Sequence, residues 1–275
     1  MSRTLDRCQL IERSILTTYR ETIWTPFMKA IRRYELINPG DRIAVCMSGG
    51  KDSMLMGKLF QQLQRHTEIP FETVYLVMDP GYNEENRRKI ESNAELLRIP
   101  AVFFETNIFE IANSQDKNPC FVCARMRRGH LYSKAQEMGC NKIALGHHFD
   151  DVIETPLISM FYGAQLQAML PKLKATNFPG MELIRPLYMV REDSIVAWKN
   201  YNHLDFIQCA CKFTESSAHD EGGSKRREAK MLIKQLHRTN RDVEMNIFNS
   251  IHSVQLDTMP GWKKDGEYHS FLDEF

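Results

Sequence analysis

Six consecutive residues, Ser48-Gly49-Gly50-Lys51-Asp52-Ser53, carry the densest chemistry in the chain. They follow an apolar run, Ile43 to Met47, that reads as a buried strand, and they precede Leu55, Leu59 and Leu63, spaced four apart as on one helix face. A strand, a two-glycine turn and a helix start together make an anion site. Glycine lets the backbone approach a phosphate closely, and the first turn of a helix offers unpaired N–H groups and a positive dipole end. Lys51 adds a full charge, and Asp52 can hold a magnesium ion. The spacing is not that of a Walker A loop, which places four residues between its first glycine and Gly-Lys-Ser/Thr. The bland alternative is an ordinary Gly-rich turn, and the whole hexapeptide in this context argues against it.

A second constellation, Gly146-His147-His148-Phe149-Asp150-Asp151, follows another apolar run. Gly146 permits close approach of a nucleotide, and Asp150 or Asp151 can bind magnesium or steer phosphates. Either aspartate also suits a helix N-cap. His147 and His148 pack against the loop or, less favourably, act as a base. A third is Cys120-Phe121-Val122-Cys123, entered through Pro119. Two thiolates at this spacing can bite one metal or cluster, yet CxxC alone is ambiguous between zinc, an iron–sulfur cluster, a redox pair and coincidence. Cys209 and Cys211 are further candidate ligands. Three cysteines on a four-iron cluster would leave one iron open to an external sulfide. Cys8, Cys46 and Cys140 read as structural, since buried free cysteine behaves as a small apolar residue.

These residues need a scaffold. Residues 9–36 read as helical, and Asn38-Pro39-Gly40-Asp41 turns the chain into strand one. Strand two is Thr73–Met78, strand three Ala101–Phe104, strand four Lys142–Gly146 and strand five Leu183–Leu187, with helices over 83–97, 122–138 and 151–162 between them. The alternation predicts an α/β, Rossmann-like, five-stranded parallel sheet flanked by helices, with an N-terminal helix and a C-terminal helical extension. If the order is 3-2-1-4-5, the loops after strands one and four share the crevice at the strand carboxyl ends. Residues 165–182 read as a loop, 203–224 as irregular, and 260–275 as a polar, aromatic tail.

Length and charge add bounds. The chain has 275 residues and a formal net charge of +1, so global charge names no partner. Two segments are locally basic. One spans 120–145, with Arg125, Arg127, Arg128, Lys134 and Lys142; the other spans 225–242, with Lys225, Arg226, Arg227, Lys230, Lys234, Arg238 and Arg241. They can track a phosphate backbone or can be solvated helix faces. Charges interrupt the N-terminus, and no run reaches the length of a membrane span, which reads as a cytoplasmic protein without a membrane partner. Seven cysteines, an odd number, point to metal or redox chemistry more than to disulfides.

The hexapeptide resembles the PP-loop of the ATP pyrophosphatase superfamily, which splits ATP between the α and β phosphates. The succession Ser48–Ser53, Cys120-x-x-Cys123, Arg127-Arg128-Gly129 and Leu145-Gly146-His147-His148-x-Asp150-Asp151 resembles the tRNA 2-thiocytidine synthetase family. So do Met160-Phe161-Tyr162-Gly163, Pro171-Lys172-Leu173 and Ile184-Arg185-Pro186-Leu187. The likeness covers about residues 20–215. It implies an adenine nucleotide alpha hydrolase-like fold, with residues 1–40 as a helical segment, 41–215 as the ATP-binding domain and 216–275 as a C-terminal helix and tail. It implies ATP, Mg2+ and a [4Fe-4S] cluster as cofactors, and tRNA and a sulfur donor (a cysteine desulfurase or sulfide) as partners. A homodimer is compatible with it. Carried over, Asp52, Arg127 and Asp151 are catalytic. Ser48, Gly49, Gly50, Lys51, Asp52, Ser53, Met78, Gly146, His147 and Asp150 bind the nucleotide. Cys120, Cys123 and Cys209 hold the cluster, with Cys211 as rival third ligand. Two other readings stand beside this one: an amide-forming or lysidine-type ligase with a zinc site, and a non-enzymatic nucleotide-binding redox sensor.

Overall fold

In the first strand, β1 (Arg42–Met47), alternate side chains enter two different cores. Ile43, Val45 and Met47 join one buried cluster, and Ala44 and Cys46 join the other. A strand buried on both faces belongs inside a parallel sheet covered by helices on each side. The computed structural model describes residues 4–109, 119–207 and 225–274, with the backbone alone at 119–124 and 274.

β2 (Glu72–Asp79), β3 (Ala101–Glu105), β4 (Lys142–Ala144), β5 (Lys172–Lys174) and β6 (Glu182–Ile184) complete the sheet, in the order β3-β2-β1-β4-β6-β5. The first five in that order are parallel, and β5 pairs antiparallel with β6 at the edge. The five expected parallel strands are therefore present in the expected order. The sixth lies in the segment expected as loop, because Lys172-Leu173-Lys174 carries one apolar residue and no run that periodicity can detect.

The helices are α1 (Arg7–Leu16), α2 (Thr25–Arg33), α3 (Lys51–His66), α4 (Glu84–Leu96), α5 (Pro119–Glu137), α6 (Phe149–Gly163), α7 (Glu192–Tyr201), α8 (Lys225–His237) and α9 (Val243–Ser250). The single helix expected over 9–36 is broken by a π-turn at Arg20–Trp24, before Pro26, whose missing N–H suits a first turn and not a helix interior. Leu55, Leu59 and Leu63 of α3 are all buried in the core that α1, α2 and α7 also fill, while Tyr132 and Ala135 of α5 pack on the opposite face.

Two buried lysines brace this scaffold. Lys58 of α3 is fully enclosed and donates to Glu12 Oε1 (2.7 Å), Gln61 Oε1 (2.6 Å) and the Leu97 carbonyl (2.8 Å). Lys142, counted among the basic surface residues from sequence, is instead 2 % exposed in β4 and lies 2.7 Å from Asp41 Oδ2. It has no role at an RNA surface.

Contacts divide the chain into two compact units, Met1–Val152 with Met169–Gly223, and Ile153–Ala168 with Ser224–Phe275. The sheet lies in the first. In the second, α6 and α8 are tied by the Tyr162 hydroxyl donating to Glu228, by Lys225 over the Tyr162 ring (5.1 Å) and by Arg226 near Glu154 (3.8 Å). The segment read as a tail instead forms a hairpin, β7 (Gly261–Lys264) and β8 (Glu267–Ser270), closed by Asp265 and Gly266 at φ +52° and +89°. Among the described residues no helix is long and apolar enough to cross a membrane.

Candidate active site

The Ser48–Ser53 loop joins β1 to α3 and is shaped by its glycines. Gly49 has φ +83°, and a Cβ there would stand 2.5 Å from Ile90 Cγ1 and 2.9 Å from Ile207 Cδ1. Gly50 precedes α3 in an extended conformation and caps it with no side-chain oxygen. The first-turn N–H groups, which a helix cannot satisfy internally, are thus available to a phosphate. Ser53 is the staple of the loop. Its Oγ donates to the Gly50 carbonyl (3.0 Å), accepts from the Ser48 N–H (3.1 Å) and lies 3.2 Å from Ser48 Oγ.

The second motif meets this loop directly. A Cβ on Gly146 would stand 3.3 Å from the Ser53 nitrogen and 3.5 Å from the Asp52 carbonyl carbon. A side chain there would press on the backbone at the start of α3, so glycine suits the close approach of the chain leaving β4. The expected meeting of the two motifs at adjacent strand ends is therefore what the fold produces.

Charge is arranged in alternation. Lys51 Nζ lies 3.1 Å from both Asp52 Oδ2 and Glu192 Oε1. Burial pulls the Lys51 ammonium down, but these two carboxylates outweigh it and hold the group above its ordinary value. His148 stands between the aspartates: its Nε2 is 4.0 Å from Asp52 Oδ1, and its Nδ1 is 3.5 Å from Asp151 and 3.7 Å from Asp150. Asp151 also accepts from the His148 backbone N–H (3.0 Å). Asp150 accepts from the Glu192 N–H (2.7 Å), at the first turn of α7. Asp52 Oδ1 is buried without a hydrogen-bond partner. His147 is half-buried in the turn after β4.

Met78 is buried near the carboxyl end of β2, and the next residue organises the neighbouring loop. Asp79 accepts from the Gly81 (2.9 Å) and Tyr82 (2.7 Å) N–H groups and from Arg87 (2.8 Å). Burial raises the Asp79 carboxyl, but these donors prevail and hold it below the usual range. Tyr82 in turn donates to the Ser48 carbonyl (3.4 Å). Sequence reasoning missed Asp79, Tyr82, Ile90 and Glu192. Asp79-Pro80-Gly81 was read only as the end of a strand, although an aspartate before a turn is itself a signal for this side-chain-to-backbone pattern.

Arg127 lies on α5 with its guanidinium 5.4 Å over the Phe109 ring; its Nε is buried without a partner, and among the described residues it forms no ion pair. Positions 120 and 123 fall on one face of the first turn of α5. Cys209 and Cys211 lie outside the described residues; Ile207, two residues before Cys209, packs on Gly49. The remaining cysteines are poor competitors for a metal. Cys8, Cys46 and Cys140 are buried, and burial pushes the Cys46 thiol up to about 12 and raises the other two.

The chain matches the PP-loop domain family over residues 21–212. A tRNA-cytidine(32) 2-sulfurtransferase of Citrifermentans bemidjiense is 35 % identical over 231 residues, 82 % of this chain and 88 % of that one. One from Geotalea uraniireducens is 34 % identical over 250 residues, 90 % of this chain and 95 % of its own. Among solved structures, the U34-tRNA thiolase NcsA from Methanococcus maripaludis, determined with its [4Fe-4S] cluster, superposes with a TM-score of 0.66 at 19 % identity, covering 87 % of this chain and 80 % of that one. That likeness establishes the shared fold. The glycine loop, the Gly146 turn packed on it and relatives that match along most of their length agree, and the chain belongs to the PP-loop family of tRNA-cytidine(32) 2-sulfurtransferases.

Proposed function

We propose that this protein is an ATP-dependent tRNA sulfurtransferase that activates a pyrimidine carbonyl, converting cytidine to 2-thiocytidine. The observation that carries the reading is the contact of Gly146 with the start of α3, which merges the two motifs into one nucleotide site. The backbone of Gly49 and Gly50 and the first turn of α3 receive the ATP phosphates. Lys51 turns from Asp52 and Glu192 toward them. That exchange takes the cation from Asp52, and Mg2+ held by Asp52 would restore the balance. The carbonyl oxygen of the base attacks the α-phosphate, pyrophosphate leaves, and the oxygen becomes part of an AMP leaving group that sulfur can displace. To Arg127, held against Phe109, we assign the stabilisation of the negative charge that develops as sulfur adds to the activated base.

The donor set fits an iron–sulfur group: two cysteines share the first turn of α5, and the three buried thiols elsewhere are withdrawn from competition. A [4Fe-4S] cluster on Cys120, Cys123 and Cys209 would supply a site for sulfide, taken as free sulfide or as desulfurase persulfide sulfur once a thiol reductant has brought it to the sulfide level. Arg125 and the exposed basic face of α8 supply phosphate contacts for tRNA, and the reaction belongs in the cytoplasm, where tRNA and reduced sulfur meet.

Anaerobically purified protein incubated with ATP, Mg2+, sulfide and bulk tRNA should yield pyrophosphate and 2-thiocytidine, read by nucleoside mass spectrometry. A protein that turns over ATP yet leaves no thionucleoside would overturn tRNA thiolation. A colourless protein with stoichiometric zinc would overturn the cluster and restore the ligase reading.

A further inference from the structure

Arg185 is the residue that follows β6, at the carboxyl edge of the strand next to β4. It is only 8 % exposed. Its Nη1 donates to the Leu170 carbonyl, while its Nε is buried without a hydrogen-bond partner. Among the described residues no carboxylate forms an ion pair with it, unlike the buried Lys58, which pairs with Glu12, and Lys142, which pairs with Asp41 and Glu182. A buried guanidinium without a counter-ion and with an orphaned N–H is costly, and folds that keep one satisfy it from elsewhere.

The surroundings increase that demand. Burial, together with the guanidinium charge of Arg128 on α5, pulls Arg185 down to about 10, against weaker opposing influences from Tyr188, Tyr132 and Asp151. Arg128 is exposed and has no carboxylate partner among the described residues. The packing brings the two to the same side of the sheet: Tyr132, one turn after Arg128 on α5, shares a core cluster with Leu183, two residues before Arg185, and an anion that faces both guanidinium groups offsets their repulsion. Planar guanidinium groups match phosphate oxygens in geometry as well as charge. Asp151, whose charge Arg185 feels, borders the nucleotide loop through His148, so this anion lies beside the reacting centre.

We infer that Arg185 and Arg128 form a phosphate subsite, separate from the Ser48–Ser53 loop, that holds a backbone phosphate of the RNA next to the target base. The inference rests on the tRNA reading for the identity of the ligand. The position favours RNA over ATP, because Arg185 leaves β6, on the far side of β4 from the Ser48–Ser53 loop, and so flanks the nucleotide site from the side opposite the triphosphate loop. Arg185 is a positioning residue here: it fixes where the nucleotide sits and touches no reacting atom.

The test has two arms. Wild type, R185M, R185K and R128A are titrated with bulk tRNA by filter binding from 50 to 200 mM KCl, and with ATP by equilibrium dialysis. R185M and R128A should each lose about tenfold or more in tRNA affinity, the weight of one charge-assisted hydrogen bond. The plot of log affinity against log salt should become shallower by about one. R185K should recover part of the loss, and ATP affinity should not change. A loss confined to the ATP arm would support a phosphate subsite but assign it to the nucleotide. Unchanged binding in both arms, with a lower melting temperature for R185M alone, would show that Arg185 only ties the Leu170 segment to the sheet, and would overturn the proposal. Since R128A alters an exposed side chain, its result does not depend on whether R185M folds. Wild type that binds no tRNA would defeat the proposed function instead, and the ATP arm would then decide the subsite by itself.

Discussion

Replacing Gly49 by alanine tests the loop where its geometry is most demanding. At φ +83° an L-residue sits in the left-handed region, which costs about 1–2 kcal/mol. The new methyl would also stand 2.5 Å from Ile90 Cγ1 and 2.9 Å from Ile207 Cδ1, both in a packed core, and relieving such overpacking costs about 1–3 kcal/mol more. The two together predict a loss of about 2–5 kcal/mol, or a melting temperature lower by roughly 5–15 °C for a chain of this size. Gly50→Ala is the control. Its φ is −80°, and a Cβ would meet only ordinary contacts at 3.6 and 3.7 Å, so its stability should stay within about 1 kcal/mol of wild type. Gly50→Ala should nonetheless slow pyrophosphate release, because the methyl occupies space a phosphate approaches. Urea unfolding of both variants, of Ile90→Ala and of the Gly49→Ala/Ile90→Ala pair closes a cycle. Ile90→Ala alone should cost about 2–5 kcal/mol, and the pair should be less destabilised than the sum by about 1–3 kcal/mol. A Gly49→Ala protein as stable as wild type, or strict additivity in the cycle, would refute the claim that the loop is wedged against Ile90.

Two further outcomes follow from the carboxylates. The Asp79 carboxyl is held below its unfolded value, so its contribution is complete above about pH 4 and is lost as pH falls through the folded value. The stability gap between wild type and Asp79→Asn should accordingly be present at pH 7 and shrink on acidification, in parallel denaturant titrations. Asp150→Ala should destabilise the protein by about 1 kcal/mol through loss of its bond to the Glu192 N–H, whereas Asp150→Asn, which keeps an acceptor oxygen, should lose little stability. Loss of ATP turnover in Asp150→Asn at full stability would mean that the carboxylate meets the metal or the phosphates as well as α7.

The motifs were legible because each is local. A strand, two glycines and a helix start are neighbours in sequence, and so are Gly146 and the aspartates. What the sequence could not show are the partners each side chain finds at long range. Asp150 bonds a backbone N–H forty-two residues away, and Lys51 shares its charge with Glu192 of a helix that no motif marked. Lys142 looked like one more charge in a basic segment because its burial depends on Asp41, a hundred residues earlier, which supplies the counter-ion. Other signals are local after all. Asp265-Gly266 is the kind of pair that closes a two-residue hairpin, and the polarity of the flanking residues masked it as a tail.

The placement of the cysteine pair follows from topology. Parallel strands must be joined by crossovers that return the chain to the opposite edge of the sheet. α5 directly precedes β4, so it runs antiparallel to the strands and begins at their carboxyl edge. Its first turn, with positions 120 and 123, therefore starts at the same edge as the glycine loop after β1 and the Gly146 turn after β4. One further turn along the helix brings Arg127 and Arg128. The glycine loop after β1, the Gly146 turn and the start of α5, with positions 120, 123, 127 and 128, thus share one rim of one sheet, since a doubly wound fold sends every strand's exit and every crossover helix's entry there. Chemistry that activates a base with ATP and then delivers sulfur needs its two reagents on the same side of the substrate, and this topology provides that side.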